Sequence, residues 1–310
     1  MKKEGLLAVL LLVIALFAAV PAFAGTIPAS VVPENARWVA HLDMEKFAST
    51  SLYGYLDKSG TFEIKSRDIS RWLKMDLPKD VTGVTVFGLD EAKEQAVVVV
   101  AGKFDKERLM TLLDLAEDHK EEPYGAYTVY STDEDGFGAF LNDNLVVLSE
   151  QRSALERVLD TAAGKVKDFA KSALSASLKE IPSGAFLSGV VPNLTGLGPQ
   201  VSESRLLEKA SGIFFMAQET KDNLFVRVQL TADTAENAKN MADIAQGLIA
   251  MGRLSGGQGG QGGHMANVVG LLEGLQIKQE GKVLKLEFER PSKEIADFLS
   301  QGHGVKGLLD

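Results

Sequence analysis

Imidazole chemistry in this chain must draw on His41, His119, His264 or His303, the four histidines among 310 residues. His264 follows a glycine-rich stretch with no second histidine or carboxylate beside it, too few ligands to close a metal site, and it reads as a solvated loop residue. His303, between Gly302 and Gly304, reads the same way. His41 alternates with Arg37 and Val39 against Trp38, which predicts a surface strand position. Carboxylates gather at Glu117, Asp118, Glu121 and Glu122 around His119. At a helix C-terminus their mutual repulsion could be relieved by a divalent cation, but without a spaced ligand loop the reading is a solvated, fraying end. Asp133-Glu134-Asp135-Gly136 opens like a calcium loop, lacks the downstream glutamate, and reads as a hairpin turn.

Gly257 to Gly262 formally matches G-x-G-x-x-G, yet it follows a helix where a phosphate cradle follows a strand, so a flexible loop is expected. No G-x-S-x-G, S-x-x-K, H-E-x-x-H or P-loop motif occurs in the sequence. A triad assembled in space stays open as an alternative, a hydrolase with its site between two halves of the chain. A two-carboxylate glycosidase also stays open, although Trp38 and Trp72 alone poorly line a sugar cleft. The residues singled out for binding lie in two insertions: Asn193 and Thr195 in the Asn193 to Ser204 connection, and Gln258, Gln261 and His264 in the Gly256 to Met265 loop. The Asn193-Leu194-Thr195 acceptor pattern carries no weight beside a bacterial leader. No catalytic residue, cofactor or metal ligand is assigned.

Composition narrows the field further. The chain is 45% hydrophobic and 24% charged with no cysteine, which is ordinary globular composition. Lacking cysteine, it has no disulfides, thiolate zinc sites, iron–sulfur ligands or lipidated cysteine. Net charge is −9 and basic residues form no block, so nucleic acid is not an expected partner.

The N-terminus reads as an export signal. Lys2 and Lys3 precede an uncharged run from Leu6 to Val20, and Ala22-Phe23-Ala24 has the small-x-small pattern of a cleavage site. The run is shorter than the roughly 20 residues a spanning helix needs. Cleavage after Ala24 removes two lysines and one glutamate, which takes the net charge from −9 to −10. A periplasmic or secreted bacterial protein is expected, with no membrane span in the mature chain.

Periodicity then predicts one pattern written twice. Trp38 to Leu42 reads as a strand ending at a cap, Asp43, and a helix follows. Strands at Gly83 to Phe87 and Gln95 to Ala101 come next, and the valine run of the latter predicts burial on both faces or nearly so. Asp105 caps a helix with Leu109, Leu112, Leu113 and Ala116 on one stripe. Strands at Tyr127 to Tyr130, Phe137 to Leu141 and Leu145 to Leu148 precede a closing helix from Arg152 to Ala163. The order recurs from Gly184, with Gly212 answering Gly83 at an offset of 129 and Asp233 answering Asp105 at 128. The expected class is therefore α+β: two tandem repeats of a mainly antiparallel sheet with helices on one face. The expected segments are 1–24 signal, 25–165 first repeat, 166–183 linker and 184–310 second repeat with a Gly/Gln-rich loop at 255–263.

The stretch Val32-Pro33-Glu34-Asn35-Ala36-Arg37-Trp38-Val39-Ala40-His41-Leu42-Asp43, followed by a helix containing Ser51-Leu52, resembles a group of exported bacterial proteins of unknown function. Their P-x-x-A-x-strand-D opening is repeated along the chain. The resemblance implies an exported, duplicated α+β protein and brings no catalytic residue; the second copy departs from it at Pro192. The expected function is non-enzymatic binding, with another envelope or secreted protein or a small apolar ligand as partner.

Overall fold

The computed structural model describes residues 27–60, 77–89, 96–113, 119–132, 136–179, 181–194, 207–256 and 274–300. In chain order the described elements are β1 (Trp38–Asp43), α1 (Met44–Ala48), α2 (Ser51–Lys58), α3 (Leu77–Asp80), β2 (Val81–Gly88), β3 (Ala96–Gly102), α4 (Lys106–Leu113), β4 (Lys120–Tyr124), β5 (Tyr127–Thr132), β6 (Gly136–Asn142), β7 (Leu145–Ser149), α5 (Arg152–Ala162), α6 (Ala173–Leu178), β8 (Ala185–Val191), β9 (Ala210–Thr220), β10 (Asn223–Ala232), α7 (Ala235–Gly256), β11 (Gln276–Glu280), β12 (Val283–Pro291) and α8 (Ser292–Ser300). The class is α+β, and the paired strands described below are antiparallel.

Polar side chains set the start of several helices. Asp43 accepts the Lys46 N–H at 2.8 Å to begin α1, Thr50 accepts that of Tyr53 at 3.0 Å to begin α2, and Asp105 that of Arg108 at 3.0 Å to begin α4. For α7 the cap is Thr234, whose hydroxyl accepts the Asn237 N–H at 3.0 Å, and not the Asp233 expected from sequence. The correction brings the two caps, Asp105 and Thr234, to an offset of 129, equal to that of Gly83 and Gly212.

The chain divides into two compact units that do not follow its order. The first gathers the described residues within Ala22–Ser49 and Phe62–Val190, the second those within Thr50–Thr61 and Val191–Asp310. The chain thus leaves the first unit after Ser49 to deliver α2 to the second, while β8 pairs with β1 in the first.

In the first unit the sheet order is β8-β1-β2-β3-β7-β6-β5-β4. One face is closed by α5, whose Leu155, Val158 and Leu159 are fully buried against Val97, Val99, Val129, Ala139 and Val147. Each such side chain contributes about 1.5–3 kcal/mol through removal from water. Val31, Val32 and Phe169 complete this core, and the Phe169 N–H donates to the Val32 carbonyl at 2.6 Å. In the valine run one side, Val97 and Val99, is buried and the other, Val98 and Val100, is half-buried.

One further expectation changes here. Glu121 and Glu122 belong to the edge strand β4, not to a helix end, because the chain pairs with β5 from Lys120 onward. Proline and charge on this edge strand discourage pairing with another chain. Glu117 and Asp118 lie outside the described residues.

In the second unit the order is β11-β12-β10-β9. Alternate residues Leu224, Val226, Val228 and Leu230 of β10 and Leu284, Leu286 and Phe288 of β12 are buried, and α7 packs on β10, β11 and β12 through Ala238, Met241, Ala242, Ala245 and Ile249. The alternate positions on the opposite side carry Arg227, Gln229, Lys285 and Glu287. The β9–β10 hairpin turns through Lys221 and Asp222, both left-handed at φ 52° and 61°, the conformation a two-residue turn of matching twist requires.

Each unit has a hairpin followed by a helix and further strands, four after α4 in the first (β4 to β7) and two after α7 in the second (β11 and β12), the last of which, β7 or β12, lies beside the hairpin. The two units also share an irregularity. Val81 pairs with Gly102 and Gly83 with Ala101, leaving Thr82 as the extra residue; Ala210 pairs with Ala232 and Gly212 with Thr231, leaving Ser211 as the extra residue.

Candidate functional site

His41 is buried, which corrects the surface position expected for it. It faces the core with Val39, and its Nδ1 lies 2.9 Å from the Thr85 hydroxyl on the neighbouring strand. Ser188 on β8 is its register partner on the other side, so β8, β1 and β2 carry a buried row of Ser188, His41 and Thr85. Asp43, two residues along β1, spends its carboxylate on the Lys46 backbone N–H and on the Lys46 ammonium at 2.7 Å. The alternation Trp38/Ala40 against Val39/His41 was legible in the sequence; which side faced the core was not, because both sides carry apolar residues.

Around the α5 end of the first unit, Asp160 accepts hydrogen bonds from Lys165 at 2.8 Å and from the Tyr124 hydroxyl at 3.0 Å. The Lys165 hydrogen bond holds the Asp160 carboxyl below its usual range, burial opposes this, and the Tyr124 hydroxyl adds to it. Burial and the same carboxylate push the Tyr124 phenol up. Arg152 pairs with Glu156 at 2.8 Å and with Glu122, so β4 is tied to α5 and the acidic residues near His119 are joined to a cation of the chain itself.

In the second unit Glu219 accepts the Ser51 N–H at 2.7 Å and the Leu52 N–H at 2.9 Å, and the Ser292 hydroxyl donates to the same carboxylate. One side chain thereby holds the start of α2 and the start of α8. Across β10, β12 and β11, Glu287 accepts from Arg227 at 2.8 Å and from Lys278 at 3.0 Å. Burial raises the Glu287 pKa, and these two hydrogen bonds more than offset that, so it sits below its ordinary value. Each of these ionisable clusters fastens one element to another.

An apolar row lies on the second face of the first unit's sheet. Ala40, Val86, Val98, Leu148, Gly138 and Tyr130 are successive register partners across six strands. Six strands span about 24 Å at ordinary spacing. Val86, Val98 and Tyr130 are half-buried, and Leu148, at 45% exposure, is the exposed large hydrophobic residue among those described. In the adjoining row Leu42 and Val84 are buried while Val100, Val146 and Phe140 are half-buried. Lys106, opening α4, lies 5.2 Å from the Phe140 ring centroid, and Tyr130 meets Phe140 edge-on at 6.1 Å.

Sequence reasoning missed this surface because it took the valine strand as buried, or nearly so, on both sides. The one available signal was Leu148 alternating with the core residue Val147 in a strand flanked by polar turns. Of the residues expected to bind, Asn193 is exposed just beyond β8, and Thr195, Gln258, Gln261 and His264 lie outside the described residues. Among the described residues no group of three or more His, Asp or Glu side chains is placed to hold a metal ion, and no helix is long and apolar enough to cross a membrane.

No family model matches the chain, and no match was found among curated proteins. Solved structures do match. The structure of crystal form III of TP0453 aligns with a TM-score of 0.51 at 12% identity, covering 89% of this chain and 99% of that one. Crystal form IV of TP0453 gives 0.50 at 12% identity, covering 89% and 97%. At this identity the likeness shows a shared α+β fold.

Proposed function

We propose that this chain is an exported, non-enzymatic binding protein of the bacterial periplasm, built from two copies of one α+β unit, which holds an apolar partner on the second face of its first sheet. The half-buried row from Ala40 to Tyr130, with Leu148 projecting at 45% exposure, carries the reading. An exposed leucine set in a row of half-buried apolar residues on a sheet face is a place for an apolar partner to dock. The duplication is supported by the extra residues Thr82 and Ser211, which interrupt the same pair of strands 129 residues apart. A β-bulge at one position within one connectivity is a hard feature to reach twice by chance. The leader Met1 to Ala24 and an acidic mature chain support export.

Trp38 and Trp72 are the two tryptophans, so a Trp72→Phe chain reports from Trp38, beside the apolar row. With an apolar fluorescent dye as the probe, saturable binding with a Trp38 response is expected, weakened at least tenfold by Leu148→Glu, or about 1.4 kcal/mol. Equal dye binding to both chains refutes the site. Fractionation should recover the chain from the periplasm with Gly25 at its N-terminus; recovery from the cytoplasm with Met1 retained refutes export.

A further inference from the structure

The strand β4 closes one end of the sheet order in the first unit and pairs with β5 from Lys120 opposite Ser131 to Tyr124 opposite Tyr127. Lys120, Glu121, Glu122 and Pro123 are exposed, and Tyr124 is half-buried against the core of the unit. Little apolar surface is therefore removed from water when the strand docks. Charged and polar ties to α5 and the residues just after it hold it as well. Glu122 pairs with Arg152, which also engages Glu156 at 2.8 Å. The Tyr124 hydroxyl donates to Asp160 at 3.0 Å, and Lys165, 2.8 Å from the same carboxylate, lies 5.6 Å from the Tyr124 ring centroid. The strand beneath is of another kind. Tyr127-Thr128-Val129-Tyr130-Ser131-Thr132 has no charge, no glycine and no proline, and all but Ser131 are β-branched or aromatic. At a sheet edge such a segment is a template for another chain.

We infer that β4 is a releasable strap, clasped to α5 by charge, and that its opening lets the bared edge of β5 take the β5 strand of a second copy of this chain. Two β5 strands set antiparallel place no like charges opposite one another, and they bring tyrosine, threonine and valine together as cross-strand pairs. With β4 in place the same edge presents Lys120, Glu121, Glu122 and a proline that has no N–H to donate, which turns a newcomer away. The contact between β4 and α5 is thus autoinhibitory toward self-association. Ionic strength governs it, because the pairs of Arg152 with Glu122 and of Lys165 with Asp160 are solvent-exposed in part and are screened by salt. The inference depends neither on the duplication nor on the apolar row that includes Leu148.

The test compares the full chain with a double variant, Arg152→Gln with Lys165→Gln, which cuts both clasps and leaves the buried Leu155, Val158 and Leu159 of α5 in place. At neutral pH and low salt the parent should sediment as a monomer. In the double variant hydrogen exchange at the β4 and β5 amides should quicken about tenfold while β3 and β7 keep their protection, and a dimer should form. That retained protection separates strap opening from a general loss of folding. Adding Thr128→Lys, which sets like charges along the paired β5 edges, should restore the monomer without slowing exchange in β4. Raising salt from about 0.05 M to about 0.5 M should quicken β4 exchange in the parent and not in the double variant. Equal β4 exchange in the two chains, or exchange only through global unfolding, overturns the strap. A monomeric double variant with a fast-exchanging β4 overturns the second copy as occupant, and so does a dimer that survives Thr128→Lys.

Discussion

The Glu219 carboxylate accepts the Ser51 backbone N–H at 2.7 Å, joining the end of β9 to a helix that lies 168 residues earlier in the chain. It also accepts from Leu52 and Ser292, so α2 and α8 begin at one anion. Orphan N–H groups at a helix start carry partial positive charge, and a carboxylate there satisfies both the hydrogen bonds and the dipole. Asp222, held in the left-handed turn, adds an acceptor for the Ser51 hydroxyl and a carbonyl for the Ser292 N–H at 2.8 Å.

Glu219→Ala should therefore cost about 1–3 kcal/mol, since it strands two helix N–H groups and a fully buried Ser292 hydroxyl. Denaturant unfolding measures this, and hydrogen exchange should quicken first at Ser51 to Tyr53. Unchanged protection of that turn refutes the role given to Glu219.

His41→Ala should destabilise by about 2–4 kcal/mol, from the cavity and from the Thr85 hydroxyl left without its ring partner. Because His41 is buried in the core and engaged with Thr85, the loss should appear as a lower unfolding midpoint. A variant as stable as the parent places His41 outside the structural core.

Gly88 pairs with Trp38, and a methyl group added there would meet the indole edge. Gly88→Ala should cost about 1–3 kcal/mol through displacement of the ring. Trp38 emission in the Trp72→Phe chain should shift to the red as the indole moves toward water, and an unmoved spectrum with unchanged stability argues against the contact.

The acid dependence follows from Asp160 and Glu287, both held below their ordinary pKa values in the folded chain. The unfolded carboxylates take up protons near pH 4, before the folded ones do, so this part of the stability is present above pH 4 and is lost as pH falls through the folded values. Each contributes about 0.5–1.5 kcal/mol as a hydrogen-bonded pair. Asp160→Asn should flatten the pH-dependent loss of stability between about pH 5 and pH 2; an unchanged slope excludes the Asp160 pair. At the other extreme the Tyr124 and Lys165 pKa values are raised, so their contribution is full in neutral solution and lost as pH rises past about 10.

Strands were legible because alternation and turn residues are local. Gly83 to Phe87, Leu145 to Leu148 and the hairpin through Glu280 and Gly281 are found where the sequence puts them. The strand β4 was not legible, since Lys120-Glu121-Glu122-Pro123 has no apolar alternation and is a strand only through its pairing with β5. The buried side of β1 was equally hidden, because His41 satisfied by Thr85 reads in sequence like any polar surface residue.

By itself the sequence determined what local chemistry can write: a cysteine-free acidic composition, much of the order of strands and helices, and some of the caps that start them. Tertiary structure decided the rest. It sent α2 to the second unit and β8 to the first, turned His41 inward, and left Leu148 facing out while its neighbour Val147 is buried. The physical reason is that periodicity marks faces but not what covers them; burial depends on which distant element packs there.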